Sequence, residues 1–249
     1  CIMIKLPRSL QVALIALLIT GCTAIGMSRY DDLYGEAQPR QRMVAPDSAA
    51  AAQFRDEVQP ILESRCVSCH ACYESPCQLN LNSPAGSDRG LSKMPVYNSA
   101  RLSAAKPSRL LIYAHTTQAW RGDNFSPVLT ARAQTVAANR DVGMLYQSLK
   151  LKAANPLPTD AVLHEKQFDF AINRANACPD VGSYASYAQA NPQAGMPYGL
   201  PGLVPAELDV LTNWIDGGAQ MANALPLAQS IQVQVDEWEA LLNRDDMKT

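Results

Sequence analysis

The chain has 249 residues, 47% of them apolar and 18% charged, a balance that supports a packed globular core and leaves length for a targeting segment or the start of a further domain. Its formal net charge of −2 leaves no electrostatic footprint for nucleic acid, and no basic cluster marks sustained contact with an anionic membrane surface.

Residues 1–22 read as an export signal. Lys5 and Arg8 supply a positive leading segment, and Leu10 to Ile19 is almost wholly apolar, broken by Gln11. That run is shorter than the roughly 20 apolar residues that span a bilayer, so it fits the apolar region of a signal peptide. It ends in Ile19-Thr20-Gly21-Cys22, which looks like a lipobox with Cys22 as the lipidated residue of the mature N-terminus; ordinary cleavage nearby is the alternative. Residues 23–46 are polar and mixed, with Pro39 and Pro46, and read as a linker between membrane and domain.

Asp47 is placed to cap a helix running to about Ser64, with Phe54, Val58, Ile61 and Leu62 on one face and Pro60 positioned to bend or restart it. The stretch from Leu79 to Lys106 is rich in Ser, Asn, Gly and Pro and predicts a long ordered loop. Short helices are expected over Leu110–Trp120 and Phe168–Ala177. A better one is expected over Val142–Lys152, with Leu145 and Leu149 in the core and Lys152 at the rim. Gly195 to Gly202 holds three glycines and two prolines in eight residues and reads as a rigid extended loop. Pro205 opens an amphipathic helix with Leu208, Leu211, Trp214 and Ile215 as its apolar stripe, stopped by Gly217-Gly218. A further amphipathic segment begins with Ile231, Val235, Trp238, Leu241 and Leu242. No strand pattern of any length appears, so the expected class is mainly α.

Seven cysteines are present, and an exported chain meets an oxidising compartment in which cysteines are paired or otherwise covalently used. The strongest chemical signal is Cys66-Val67-Ser68-Cys69-His70. Two cysteines three apart can add as thioethers to the two vinyl groups of haem, and the following histidine lies where its imidazole can ligate the iron. A zinc site completed by Cys72 and Cys77, a thioredoxin-like redox pair and a chance match are the competing readings. The export signal favours covalent haem c, attached outside the cytoplasmic membrane, and the preceding helix suits a c-type cytochrome-like domain with long loop insertions over residues 47–220. For the second axial position the candidates are Met196, in the rigid Gly195-Met196-Pro197 loop, and His115 or His164; the thioether of Met196 is favoured as a soft ligand that raises the reduction potential. Cys72, Cys77 and Cys178 allow more than one disulfide; Cys72–Cys77 is preferred, and a pairing of either with Cys178 is equally allowed.

The haem motif continues as Ala71-Cys72-Tyr73-Glu74-Ser75-Pro76-Cys77-Gln78-Leu79. With Ser87-Asp88-Arg89-Gly90, Pro127-Val128-Leu129, Arg132-Ala133-Gln134-Thr135 and Gly195-Met196-Pro197-Tyr198-Gly199-Leu200-Pro201-Gly202, in that order, the chain from about Val58 onward resembles the bacterial fatty acid cis/trans isomerases. Two positions depart from the pattern: Ala71 stands where glycine is expected, and His115 is isolated. The resemblance implies an enzyme of the periplasm, membrane-associated, with one covalent haem c. Its substrates would be unsaturated fatty acids derived from membrane lipids, converted from cis to trans as a membrane stress response. It implies His70 as the iron-holding catalytic residue, Cys66 and Cys69 as the attachment points and Met196 as the tuning ligand, with no redox partner identifiable. It also implies that residues 221–249 start a following, truncated region, so the portion present need not be active alone. The alternative function is a monohaem domain for periplasmic electron transfer, and the Cys72–Leu79 tail with the long insertion before Met196 favours the isomerase.

Overall fold

The computed structural model describes residues 31–71, 75–94, 96, 108–110, 112–157 and 178–222. Helices and loops make up these residues, joined by three isolated bridges, Met43 to Met221, Leu91 to Ser126 and Leu110 to Ala114. The expected helix at Phe168–Ala177 and the segment from Ile231 lie outside them, as do the signal region and Cys22.

The first long helix, α1, is a continuous run of the segments Ala49–Gln53, Phe54–Val58, Gln59–Leu62 and Glu63–Val67. Its cap is Ser48 rather than Asp47: the Ser48 hydroxyl accepts from the Ala51 N–H at 3.1 Å. Pro60 does not stop the helix but falls where α geometry restarts. The turn before it widens to π geometry, with the Gln59 N–H donating to the Phe54 carbonyl, and the chain re-enters α geometry with Pro60 in the first turn of that new segment. A missing N–H and a ring that crowds the preceding turn are absorbed most easily where the ladder already shifts by one residue. A second π segment, Glu63–Val67, carries Cys66.

Ala51, Phe54, Val58, Leu62 and Cys66 form the buried stripe of α1. They meet α7, Pro205–Asp216, whose Leu211, Trp214 and Ile215 are buried, and the Phe54 and Trp214 rings lie 6.0 Å apart. Each such side chain withdrawn from water contributes roughly 1.5–3 kcal/mol. Arg65 grips Glu207 with two hydrogen bonds of 3.0 and 3.1 Å, fixing the start of α7 against the end of α1. Glu207 also reaches back to accept from the Val204 N–H at 3.0 Å.

Between these, α2 is Pro84–Arg89, α3 Thr117–Gly122, α4 Val136–Asp141 and α5 Met144–Ala154, and α6 is Tyr184–Ala190. The stretch expected as one long loop thus contains α2, capped by Ser83 with Pro84 in its first turn. The helix expected over Leu110–Trp120 begins only after Thr116, whose hydroxyl accepts from the Ala119 N–H. On α5, Leu145 and Leu149 are core as expected, but Lys152 is not at the rim: it is 2% exposed.

The segment expected as a tether is laced into the domain from residue 31 onward. Gln38 donates to the Ala131 carbonyl, Val44 to that of Met221, and Met221 to that of Arg42. Arg42 forms a buried ion pair with Asp88 at 2.9 Å and donates to the Gly218 and Thr130 carbonyls.

Candidate functional site

The site is set by how α1 ends. The Cys69 N–H and the His70 N–H both donate to the Cys66 carbonyl, at 3.1 and 2.9 Å, which folds the five-residue motif into one tight turn. The Leu81 N–H then donates to the His70 carbonyl at 2.8 Å, and the Asn80 side chain to the Ala71 carbonyl at 2.7 Å, so the returning chain clasps the turn. Cys66 is buried, Cys69 exposed, and neither is in a disulfide. Burial pushes the Cys66 thiol up to about 11, with the neighbouring Cys69 adding to the rise.

His70 is buried, and its Nδ1 has no hydrogen-bond partner. Burial pulls its pKa down, while the nearby carbonyls of Leu79 and Pro76 push the other way. The imidazole is therefore held neutral, the form that ligates a metal. A neutral ring facing backbone carbonyls on one edge is the usual way of orienting the other nitrogen toward a metal. Two unpaired thiols and an oriented, neutral imidazole in one turn fit covalent haem. Of the two further ligands that a zinc site would need, Cys77 is bonded to Cys178, and Cys72 lies outside the described residues.

Cys77 is paired with Cys178 rather than Cys72, across a sequence separation of 101 and a Cα–Cα distance of 5.5 Å. The preferred Cys72–Cys77 pairing is thereby overturned. Cys77 and Gln78 both take positive φ, 57° and 51°, which reverses the chain just after Pro76. The Cys77 carbonyl accepts from the Ser92 N–H at 2.8 Å, and its side chain packs on the core, where Cys178 is fully buried. Local spacing favours a short loop; the core brings the distant cysteine closer. Cys72 lies outside the described residues.

Met196 is held by a different element: its N–H donates to the Ser148 carbonyl of α5 at 3.0 Å, after Gly195. It is half-buried, and it precedes a cis Met196–Pro197 bond. His115 is exposed, and His164 lies outside the described residues. The turn of Cys66, Cys69 and His70 is thus one assembled unit, with Met196 on a separate wall. Arg42, not singled out in the sequence, Asp88, read only as part of a family stretch, and Lys152, expected at the rim, are buried charged groups of this domain.

The described residues form a mainly helical domain that holds two free thiols and a buried imidazole in one turn, with Met196 tied to α5. The family model of fatty acid cis/trans isomerase (CTI) matches residues 105–249, more than half of the chain, and the chain belongs to this family of isomerases, which act on unsaturated fatty acids. The match includes α3 to α7 and Met196, and begins after the Cys66–His70 turn. No curated protein and no solved structure matches the chain.

Proposed function

We propose that the chain isomerises the double bonds of membrane-derived unsaturated fatty acids in a haem-dependent way, in the periplasm, where it is membrane-associated and anchored through Cys22. The observation that carries the haem reading is the turn itself: free Cys66 and Cys69 beside a buried, neutral His70 whose Nδ1 is without a partner. Cys66 and Cys69 would attach the macrocycle through thioethers, and His70 and Met196 would hold the iron. When bound, the haem supplies an electron-accepting centre that weakens a π bond enough for rotation.

The chain's own residues do the rest. The clasp of Leu81 and Asn80 on the motif holds His70 in one orientation. Burial keeps the imidazole unprotonated at neutral pH. The Ser148 contact fixes the backbone from which the Met196 side chain reaches out. Converting cis to trans straightens acyl chains, which suits a response to solvent or heat stress.

The test uses the full-length gene product, expressed in a host that matures c-type haem. Covalent haem is read by mass and by absorbance. The protein is incubated with a cis-monounsaturated free fatty acid and the trans isomer is quantified by gas chromatography, beside a His70→Ala control. Trans product at equal level in the control removes the haem-dependent step. Haem-loaded protein with no product favours the electron carrier instead.

A further inference from the structure

Lys152 is on α5, and its Nζ is buried without any hydrogen-bond partner. An unpaired ammonium in such a place is strongly disfavoured. The dipole at the C-terminal end of α5 offsets only a small part of this. Burial accordingly lowers the Lys152 pKa, with no group raising it.

Two further orphans lie on the segment packed here. Tyr184 Oη and Gln193 Oε1 are buried without partners, so three of the six buried unpaired side-chain atoms among the described residues belong to α5 and the 184–195 segment beside it. Ser148, one turn before Lys152, faces the Tyr184 phenol. Gly195 is pressed onto Lys152: a Cβ there would lie 2.2 Å from the Lys152 backbone nitrogen and 2.8 Å from its Cβ. A Cβ on Gly202 would lie 3.4 Å from Lys152 Cγ. The glycines of the methionine loop thus let that loop close over the lysine stem. The next residue after Gly195 is Met196, and its N–H is tied to Ser148.

A cation without a partner, on a helix whose preceding turn holds Ser148 against the Tyr184 phenol, is the complement of a carboxylate. We infer that Lys152, assisted by Tyr184, binds a carboxylate beside the Met196 loop. Two sources share that chemistry: the head group of a free fatty acid and a propionate of the haem. The inference rests on the proposed function for both candidates, and the second of them needs the haem.

The experiment uses the full chain in two forms, haem-loaded wild type and a haem-free Cys66→Ala/Cys69→Ala variant, each with and without Lys152→Met. Palmitoleic acid and its methyl ester are titrated below micellar concentration and followed by tryptophan fluorescence; the haem-loaded pair is also titrated for reduction potential. With the fatty acid as partner, acid binds at least about tenfold tighter than ester, as one charge-assisted contact implies, and Lys152→Met abolishes the preference in both forms. With propionate as partner, Lys152→Met shifts the potential and leaves the acid-to-ester ratio of the haem-free form unchanged. Equal acid and ester binding or an unaltered preference, together with an unchanged potential, overturns the inference. Lys152→Gln gives the same readouts if the methionine variant does not fold. Absence of covalent haem in the wild type is seen by absorbance before any ligand is added; it counts against the haem reading alone, and the acid-to-ester comparison then decides this one.

Discussion

Gly195 and Lys152 are in such close contact that a single methyl group at 195 would fall 2.2 Å from the Lys152 backbone nitrogen. The obstacle is helix backbone, which cannot swing aside as a side-chain tip can. Gly195→Ala should therefore push the Met196 loop off α5 and cost about 1–3 kcal/mol. In a domain of this size that lowers the melting temperature by roughly 2–4 °C per kcal/mol. In haem-loaded protein it should also weaken the far-red band of a methionine–iron bond. A variant that melts with the wild type would show that the contact is looser than the geometry demands.

The two cysteines of the haem turn should differ sharply in reactivity when haem is absent. Cys66 is buried and its thiol is raised to about 11, so at pH 8 only about one molecule in a thousand carries the thiolate. Cys69 is exposed. Iodoacetamide at pH 8 should label Cys69 and spare Cys66, read by peptide mass mapping. The folded thiol is raised above its ordinary value of 9.0, so the unfolded chain loses that proton first. Its contribution to stability is present below about pH 9 and is lost as pH climbs toward 11, on the order of 2 kcal/mol. Cys66→Ala should flatten that alkaline fall.

The amphipathic helices were the legible part of this fold. Phe54, Val58 and Leu62 on α1, and Leu211, Trp214 and Ile215 on α7, repeat at helical spacing, and all six are buried. The Cys66–His70 motif was read from its spacing, and the structure folds it into one tight turn with two free thiols and a buried imidazole. Lys152 was not legible. A lysine in the last turn of a helix ordinarily extends its stem to the rim, and what buries it comes from Gly195 and Gly202, some forty residues or more later in the chain. The α6 helix, Tyr184–Ala190, was also missed, since it has no fully buried residue and so no apolar stripe to read. The Cys77–Cys178 bridge depends on tertiary approach, which spacing alone does not encode.

That bridge closes the loop between residues 77 and 178 and pins the start of the 178–196 segment, which carries Tyr184 and Gln193 and leads to Met196. Cys77→Ser/Cys178→Ser should lower unfolding free energy by about 2–5 kcal/mol, measured by urea titration under non-reducing conditions. Wild-type protein in dithiothreitol should move toward the double variant. Because Cys77 follows the Cys66–His70 turn, the double variant should also attach less haem on the proposed reading of that turn. Unchanged stability in the double variant would mean that the two cysteines contribute no cross-link in solution.

Arg42 and Asp88 supply the last test, since they join the N-terminal strap to the centre of the domain. The Arg42 guanidinium meets Asp88 Oδ1 at 2.9 Å and its N–H meets Oδ2 at 2.8 Å, while its other nitrogens reach the Gly218 and Thr130 carbonyls. Arg42→Met leaves a buried carboxylate with only part of its partners and should cost about 3–5 kcal/mol. Asp88→Asn should cost less, because the amide oxygen still accepts from the Arg42 N–H. Arg42→Met/Asp88→Leu removes both charges and should recover part of the loss, since two apolar groups of similar size avoid the desolvation of both ions. Chemical denaturation of the wild type, Arg42→Met, Asp88→Leu and the double variant gives the coupling energy directly. Additive single-variant losses would place the strap's attachment in its backbone bonds, Val44 to Met221 and Met221 to Arg42, rather than in the ion pair.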